Sequence, residues 1–316
     1  MRNLTNLLLF FLLILFTTAC SENKQFNIGV SQGHVDKWSK LMHEEFANEA
    51  KYFGDINVEL KTEAANSEQQ IADIEEFINQ GKDLIVVCAS DKEKMRPVIE
   101  KAYDKGIPVV LADRRIDGNK YTAFIGVDNV HIGEQMGEFL IEHATERKGD
   151  VNVVELIGCI HSTTADDRHE GFKKVLSKHN SNQNASNKVN VVGSAVTEWS
   201  QETARKAMDS LLSINPRIDY VYAHSDVTAK GAYDAIKKAG REKEIKILGV
   251  DALPVEGGGA DMVMQGQLIA THTNPINGAE TFTLVRKILN GAKFERSVEL
   301  ATEVVDITNA KALKQQ

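Results

Sequence analysis

The chain has 316 residues and a formal net charge of −8, and its acidic and basic residues are mixed along the sequence rather than grouped in blocks. This distribution argues against a nucleic-acid-binding protein, which needs a basic surface. Three cysteines, Cys20, Cys88 and Cys159, are too few for a disulfide scaffold, and the last two lie in apolar runs that predict buried free thiols.

The first 20 residues have the pattern of an export signal. Met1 to Asn3 form a short positive start, and Leu7 to Phe16 form an unbroken apolar run. This run is too short to span a bilayer and is typical of a signal peptide. Thr17 to Cys20 resemble a lipobox, although Thr17 stands where such motifs usually carry Leu. We predict a signal peptide over residues 1–20, lipidation of Cys20 and a periplasmic, membrane-anchored protein; the alternative is a conventional signal peptide with an incidental Cys20.

After this segment, β-branched runs alternate with amphipathic helical patterns, which predicts a parallel sheet covered by helices on both faces. One predicted helix opens at Ser67, with Gln70 in capping-box spacing. Strands are predicted at residues 26–30, 56–60, 84–87, 107–111 and 123–126, with the other two helices of this half at 36–52 and 93–105.

The pattern then restarts, and this repetition predicts a second half of similar architecture. Residues 178–188 are expected to be a solvated loop, and residues 251–260, with three consecutive glycines, a mobile connection. Strands are predicted at 152–157, 188–193, 220–222, 245–250, 268–273 and 298–305, with helices through 169–176, 201–212, 229–239 and 278–289.

About 295 residues after the signal exceed the usual size of one domain, so two lobes are expected. The predicted fold is α/β, with two doubly wound parallel-sheet lobes joined by a hinge of three crossovers. The expected lobes are residues 26–127 with 275–301, and residues 128–274 with 302–316.

Two tryptophans, Trp38 and Trp199, occupy corresponding places in the two halves, each on a connection from a predicted strand into a predicted helix. In open α/β sheets, the ligand lies in the crevice beyond the carboxyl ends of the strands. Aromatic rings cover the apolar faces of a sugar, while short acids, amides and guanidinium groups bond its hydroxyls. The alternative is that both indoles are ordinary core residues. The polar residues that lie at or just after predicted strand ends are Asp113, Arg114, Asp128, Arg168, Ser225, Asp226, Asp251 and Asn274.

These polar residues differ in how strongly they favour ligand contact. The Asp113-Arg114 step is hard to explain as turn chemistry alone, and Arg168 heads a helix, where the dipole disfavours a cation. Asp128 and Asp226 either cap helices or contact the ligand, and Asp128 alternatively sets the hinge. No HExxH or GxSxG motif occurs, so we expect no metal, no cofactor and no enzymatic activity.

Several segments carry a family resemblance that covers nearly the whole mature chain. They are residues 28–31, 107–114, 125–129, 167–172, 223–226 and 248–251. In these segments the sequence resembles type I periplasmic sugar-binding proteins of the ribose and galactofuranose class. GREKEI from Gly240, DALP from Asp251 and DITNAKAL from Asp306 make it resemble even more closely the periplasmic sugar-sensing domains of Bacteroides-type hybrid two-component regulators.

The resemblance implies a monosaccharide (pentose, hexose or ketose) bound between two lobes. Cys88 and Ser225 stand where ribose binders use Asn, so the resemblance also implies a sugar larger than ribose or hydroxylated differently. The expected partner is an ABC-type permease; the alternative is a membrane histidine kinase, acting in trans because no kinase segment is present in the sequence. The family's ligand residues carry over to Trp38, Trp199, Asp113, Arg114, Arg168, Asp251 and Asn274.

Overall fold

The computed structural model describes residues 25–33, 36–61, 66–145, 147 and 149–314. The predicted signal peptide and the lipidation site Cys20 lie outside these residues. The first set of elements consists of β1 (Phe26–Gln32), α1 (Lys37–Phe53), β2 (Ile56–Lys61), α2 (Ser67–Gln80), β3 (Leu84–Cys88), α3 (Arg96–Asp104), β4 (Val109–Ala112) and β5 (Ala123–Gly126).

The second set of elements repeats this alternation. Its helices, like those of the first set, include none in the described ranges that is long and apolar enough to cross a membrane. The elements are α4 (Asn129–Ala144), β6 (Val151–Ile157), α5 (Thr163–Ser181), β7 (Val189–Val196), α6 (Gln201–Ile214), β8 (Tyr220–Ala223), α7 (Asp226–Lys238), β9 (Lys246–Leu248), α8 (Gly259–Met264), β10 (Ala270–His272), α9 (Gly278–Leu289), β11 (Ser297–Glu299), β12 (Val304–Asp306) and α10 (Ala310–Leu313).

The strands form two six-stranded sheets, in the orders β11-β5-β4-β3-β1-β2 and β12-β10-β9-β8-β6-β7. Among the described residues the strand pairings are parallel, except that β10 and β12 are antiparallel. The prediction of two α/β lobes with parallel sheets is therefore confirmed. The chain passes between the sheets after β5, between β10 and α9, and between β11 and β12. The single strand predicted at 298–305 is wrong, because this run is two short strands in different sheets.

Strand β3 shows why the sheets bury both faces. Its five residues are all buried, and successive side chains of a strand point to opposite faces. Leu84 and Val86 pack in the core on one side of the first sheet, whereas Ile85 and Val87 pack in the core on the other side. A continuous apolar strand is thus stable only because helices cover both faces.

The segment 251–260, predicted to be a mobile connection, is packed instead. Leu253 is buried in the core of the first lobe, and α8 begins within the segment, at Gly259. A Cβ atom at Gly259 would lie 2.0 Å from Oδ2 of Asp226, so glycine is needed there for close packing. At least one glycine of segment 251–260 is therefore needed for packing rather than for mobility.

Two further local predictions need correction. Helix α2 is capped by Asn66, whose side chain accepts from the amide of Gln69, rather than by a capping box between Ser67 and Gln70. The side-chain Nε2 of Gln70 instead donates to the carbonyl of Cys88, at 2.9 Å. The predicted loop 178–188 is also more ordered than expected, because α5 continues to Ser181 and the buried side chain of Asn187 donates to Ala144 O at 2.9 Å.

Helices α4 and α5 cross closely, and this contact places the start of α5 at the cleft between the lobes. A Cβ atom at Gly133 would lie 2.2 Å from the carbonyl oxygen of Arg168. A Cβ atom at Gly171 would lie 2.0 Å from the carbonyl oxygen of Val130. Glycine at both positions lets the two backbones approach, and the approach fixes the height of Arg168 above the second sheet.

Candidate functional site

A cavity lies between the two sheets, at the carboxyl ends of their strands, as expected for open α/β sheets. The space left among its side chains is about 20 Å³, enough for about one water molecule. A sugar therefore needs the lobes to part or the side chains to shift. The cavity is lined by Gln32, Asp36, Trp38, Ser39, Asp113, Arg114, Thr164, Arg168, Trp199, Ser225, Asp251 and Asn274.

Both tryptophans line this one cavity, contrary to the alternative that they fill separate interiors. Trp38 is 6 % exposed, also packs in the core of the first lobe, and donates from Nε1 to Asn274 O at 2.9 Å. Trp199 is 5 % exposed, and its Nε1 has no hydrogen-bond partner among the described residues. A Cβ atom at Gly158 would lie 2.1 Å from the Trp199 ring, so this glycine makes room for the indole.

The Asp113-Arg114 step is buried and incompletely paired. Arg114 Nε lies 3.5 Å from Asp113 Oδ2, which is too long for a strong ionic hydrogen bond. Asp113 Oδ1 and Arg114 Nε have no hydrogen-bond partner among the described residues. Burial raises the pKa of the Asp113 carboxyl, although the charge of Arg114 acts in the opposite direction. Asp113 has a φ of 65°, a strained conformation for a non-glycine residue.

Arg168 reaches the cavity from the second turn of α5, which begins at Thr163 rather than at Arg168 as predicted, and it is 1 % exposed. Its Nε donates to Asn129 Oδ1 at 2.8 Å, and its Nη1 donates to the carbonyl of His224. Its Nη2 has no hydrogen-bond partner in the described part of the chain. Asp251 Oδ1 lies 3.9 Å from Nη1 and accepts from Asn274 Nδ2 at 3.2 Å. Burial raises the pKa of Asp251, against the opposing charge of Arg168.

Asp128 and Asp226, which we predicted as ligand residues, lie outside the cavity lining. Asp128 caps α4, and its Oδ1 accepts from the amide of His131 at 3.0 Å. Asp226 accepts from the hydroxyl of Thr271 at 2.7 Å and faces the amide of Leu253 at 3.4 Å. Burial raises the pKa of Asp226 to about 7. The capping alternative therefore fits Asp128, and Asp226 bonds buried protein groups.

Ser225 lines the cavity, but its hydroxyl is already used, since it caps α7 by accepting from the amide of Thr228 at 3.2 Å. Cys88 is buried outside the lining, and burial raises the pKa of its thiol to about 12. Burial likewise raises the pKa of the Cys159 thiol to about 12. The two thiols are therefore neutral at ordinary pH. Both are free cysteines, as predicted, but Cys159 is half-buried, so the prediction of a buried thiol is wrong for this residue.

Four lining residues were missed from the sequence. Gln32 ends β1, is buried, and its Oε1 has no hydrogen-bond partner among the described residues. Its position at a strand end is the same signal that indicated Asp113, so the sequence could have shown it. Asp36 and Ser39 form the capping box of α1, and Thr164 lies in the first turn of α5. Nothing in the local sequence distinguishes these three from ordinary helix starts.

Hydrogen bonds outside the three crossovers also join the lobes. Lys92 Nζ contacts Asp166 Oδ2 at 2.9 Å, and the Lys92 amide donates to His161 O at 3.0 Å. The amide of Arg115 donates to Thr163 Oγ1 at 3.1 Å. These contacts hold the lobes together around the small cavity, so the structure represents a closed arrangement.

No group of three or more His, Cys, Asp and Glu side chains in the described ranges is arranged to hold a metal ion. The cavity instead combines indoles, guanidinium groups, carboxylates and amides from both lobes. This chemistry suits an uncharged ligand with several hydrogen-bonding groups.

Residues 28–293 match the model of a protein family described as periplasmic binding protein domain. The chain belongs to this family. It is 25% identical to the ribose import binding protein of Escherichia coli strain K12 over 242 residues, which cover 76% of this chain and 77% of that protein. The resemblance stated from the sequence is thus confirmed.

Two solved structures are similar to this chain over most of its length. The fructose-binding periplasmic domain of a hybrid two-component system is 39% identical, with a TM-score of 0.86, covering 92% of this chain and 94% of that one. A Mycobacterium smegmatis protein in complex with β-D-fucofuranose is 28% identical, with a TM-score of 0.84 and the same two coverages.

A buried carboxylate beneath the cavity makes the stability of the fold depend on pH in the acidic range. Glu155 of β6 accepts from His224 Nε2 and from His169 Nδ1, both at 2.9 Å. Burial alone would raise its pKa, but these two hydrogen bonds outweigh burial and lower the pKa from 4.5 to about 2. A carboxyl group whose pKa is lowered by folding stabilises the folded state at pH values above its ordinary pKa of 4.5. This contribution is lost as the pH falls from 4.5 toward 2.

We therefore expect Glu155→Gln to reduce the pH dependence of the free energy of unfolding in this acidic window. Urea denaturation of both proteins at a series of pH values between 4.5 and 2 measures it. Glu138 is an exposed residue of α4, and Glu138→Gln controls for the removal of one carboxylate. In this variant the free energy of unfolding should depend on pH with the same slope as in the unmutated protein. Equal slopes for the unmutated protein and Glu155→Gln would contradict the assignment.

Proposed function

We propose that this protein is an exported, lipid-anchored binding protein that encloses one monosaccharide between its lobes and presents it to a membrane partner. One observation carries the proposal: the cavity contains buried donors and acceptors without partners in the described residues. Arg114 Nε, Arg168 Nη2 and Trp199 Nε1 are donors, and Asp113 Oδ1 and Gln32 Oε1 are acceptors. A hydroxyl group both donates and accepts, so a molecule with several hydroxyls satisfies both kinds.

The charges of the cavity favour a neutral sugar over an acidic or cationic one. Each guanidinium already has a carboxylate nearby, Arg114 beside Asp113 and Arg168 beside Asp251. An acidic ligand would add a negative charge to a cavity that already contains Asp36, Asp113 and Asp251, and a cationic ligand would lie beside two guanidinium groups. A buried charge without a partner is costly. Hydroxyls instead add hydrogen bonds to charged partners without changing the balance of charge, and each such bond contributes ~1.5–3 kcal/mol.

The sugars bound by the relatives support a proposal about the class of sugar. Those reported above bind fructose, β-D-fucofuranose or ribose, and each of these can present a five-membered ring. We therefore propose a furanose-form sugar and take D-fructose as the first candidate, because the fructose-binding domain is 39% identical to this chain.

Binding is proposed to require opening and closing of the hinge. The two lobes both contribute polar groups, so a sugar makes its full set of contacts only when the lobes are closed. About five hydrogen bonds and two indole contacts are enough for micromolar affinity, about −8 kcal/mol. The protein acts in this proposal as a binding protein rather than an enzyme.

A titration with a panel of sugars tests the proposed function. The panel contains D-fructose, D-ribose, L-arabinose, D-galactose and D-glucose, and tryptophan fluorescence is followed. Because Trp38 and Trp199 are the two tryptophans of the chain and both line the cavity, binding should change their emission with a stoichiometry of one. We expect D-fructose to bind most tightly. No change with any sugar, by fluorescence or calorimetry, would refute monosaccharide binding.

Substitutions test the assigned residues. Trp38→Ala or Arg168→Ala should each weaken binding at least tenfold, which corresponds to about 1.4 kcal/mol, while circular dichroism shows an intact fold. Arg241→Ala is the matched control, because Arg241 lies in the same lobe outside the cavity and pairs with Glu244. Unchanged affinity in both Trp38→Ala and Arg168→Ala would remove these residues from the site.

We propose an ABC-type permease as the membrane partner, because the ribose relative is an import binding protein. A second candidate is a sensor kinase, favoured by the similarity to the periplasmic domain of a hybrid two-component system. A host strain lacking the gene distinguishes the two. We expect it to lose uptake of radiolabelled D-fructose; normal uptake with loss of fructose-induced transcription would support the sensor instead.

A further inference from the structure

A buried hydrogen-bonded chain lies behind Arg168, on the side of the second sheet. Glu155, which is 1 % exposed, lies in β6, a strand flanked by β7 and β8. Its carboxylate accepts from His224 Nε2 at 2.9 Å, and the carbonyl of His224 accepts from Arg168 Nη1. A charged group inside a sheet is costly unless it is paired, so this arrangement calls for an explanation other than packing.

The pKa of Glu155 is shifted in the opposite direction from those of the other buried acids around Arg168. Burial raises the pKa of Asp251 and raises that of Asp226 to about 7. The pKa of Glu155 is instead lowered to about 2, because the hydrogen bonds of its histidine partners outweigh burial. Glu155 therefore stays ionised at neutral pH and supplies a constant negative charge on the inner side of the buried Arg168.

His224 connects this charge to the cavity through its ring and its backbone. Its ring Nε2 bonds Glu155, while its backbone amide donates to the carbonyl of Leu156, the next residue of β6, at 3.0 Å. Two bonds to adjacent residues of β6 fix both the ring and the main chain of His224. The carbonyl that accepts from Arg168 thus has a defined direction.

We propose that Glu155 is a positioning residue for sugar binding: acting through His224, it holds the Arg168 guanidinium so that Nη2 faces the cavity. The inference rests on the proposed function, in which Arg168 contacts the sugar. His169, beside Arg168 on α5, adds a second bond to Glu155 at 2.9 Å. Glu155 itself does not line the cavity, so its effect on affinity must pass through these neighbours.

Glu155→Gln is the principal test, since it keeps the size of the side chain and removes the charge. The amide oxygen can accept from one imidazole but its NH2 group cannot accept from the other. His224 would then lose its acceptor or move its proton to Nδ1, which has no hydrogen-bond partner among the described residues. We expect calorimetry with D-fructose to show affinity weakened about fivefold or more, equivalent to about 1 kcal/mol.

A double-mutant cycle separates positioning from a general structural effect. In the Arg168→Ala background, Glu155→Gln should weaken D-fructose binding less than twofold, because the group that it positions is gone. An equal loss of affinity in both backgrounds would overturn the proposal. His224→Gln keeps a donor toward Glu155 and should retain more affinity than His224→Leu; equal losses in these two variants would also count against it.

Asp219→Asn provides the matched control. Asp219 is a buried carboxylate just before β8, in the same lobe, where it accepts from the amide of Asn152 at 2.8 Å and pairs with Arg147. We expect this variant to be less stable but to bind D-fructose with unchanged affinity. If it weakens binding as much as Glu155→Gln does, buried charge in this lobe acts through stability alone and the proposal fails.

A measurement without sugar makes the two possible failures distinguishable. Urea unfolding of the single and double variants at Glu155 and Arg168 should give non-additive losses of stability, and additive losses would overturn the coupling. If the unmutated protein binds no sugar of the panel while the losses remain non-additive, the proposed function fails and the contact chain stands. If Arg168→Ala binds D-fructose normally, the assignment of Arg168 to the site fails.

Discussion

The burial of two guanidinium groups between the lobes is the constraint on which the rest of the site depends. Removing an ion from water costs several kcal/mol even after relaxation, and Arg114 and Arg168 are both buried. Their nearest carboxylates lie at 3.5 and 3.9 Å, so neither cation is fully compensated by direct ionic hydrogen bonds. Part of this cost is not offset by protein groups, and groups already removed from water lose little more when a ligand bonds them.

Strain in the backbone accompanies this electrostatic cost. Positive φ values occur at Asp113, Trp199 and Asp251, all of which line the cavity. Such conformations cost of order 1–3 kcal/mol each and persist only where the surroundings enforce them. Here two parallel sheets with buried cores provide that enforcement. The polar groups are therefore held in place before binding, which reduces the entropy lost when a ligand orders them.

The sequence predicted most of the residues that line the cavity, because topology brings the carboxyl ends of parallel strands together. Asp113, Arg114 and Asp251 follow strands, so their convergence needed only the βαβ order. The sequence could not separate Asp251 from Asp226, because both aspartates follow strands of the second lobe. The difference lies in tertiary packing: the Asp226 carboxylate meets Gly259 and Thr271, whereas Asp251 faces Arg168. Identical local patterns thus lead to different roles.

Two errors in the fold have a similar origin. Residues 298–305 were predicted as one strand because their local pattern does not show that the chain crosses from the first sheet to the second between β11 and β12. A run of glycines suggested mobility at 251–260, but Gly259 is required by its close contact with Asp226. In both segments the deciding contact comes from a residue far away in the sequence. Local patterns identify elements well and cannot show which sheet or neighbour an element meets.

The closed arrangement is held by two kinds of contact with different consequences. The ion pair between Lys92 and Asp166 is partly exposed, and surface pairs of this kind contribute about 0–1 kcal/mol. The hydrogen bond from Trp38 to Asn274 O is buried and joins α1 to a crossover beside the cavity. A ligand shifts the equilibrium between open and closed lobes only by its difference in affinity for the two. Because the surface contacts are weak, polar bonds made across the cavity decide how far a sugar closes the hinge.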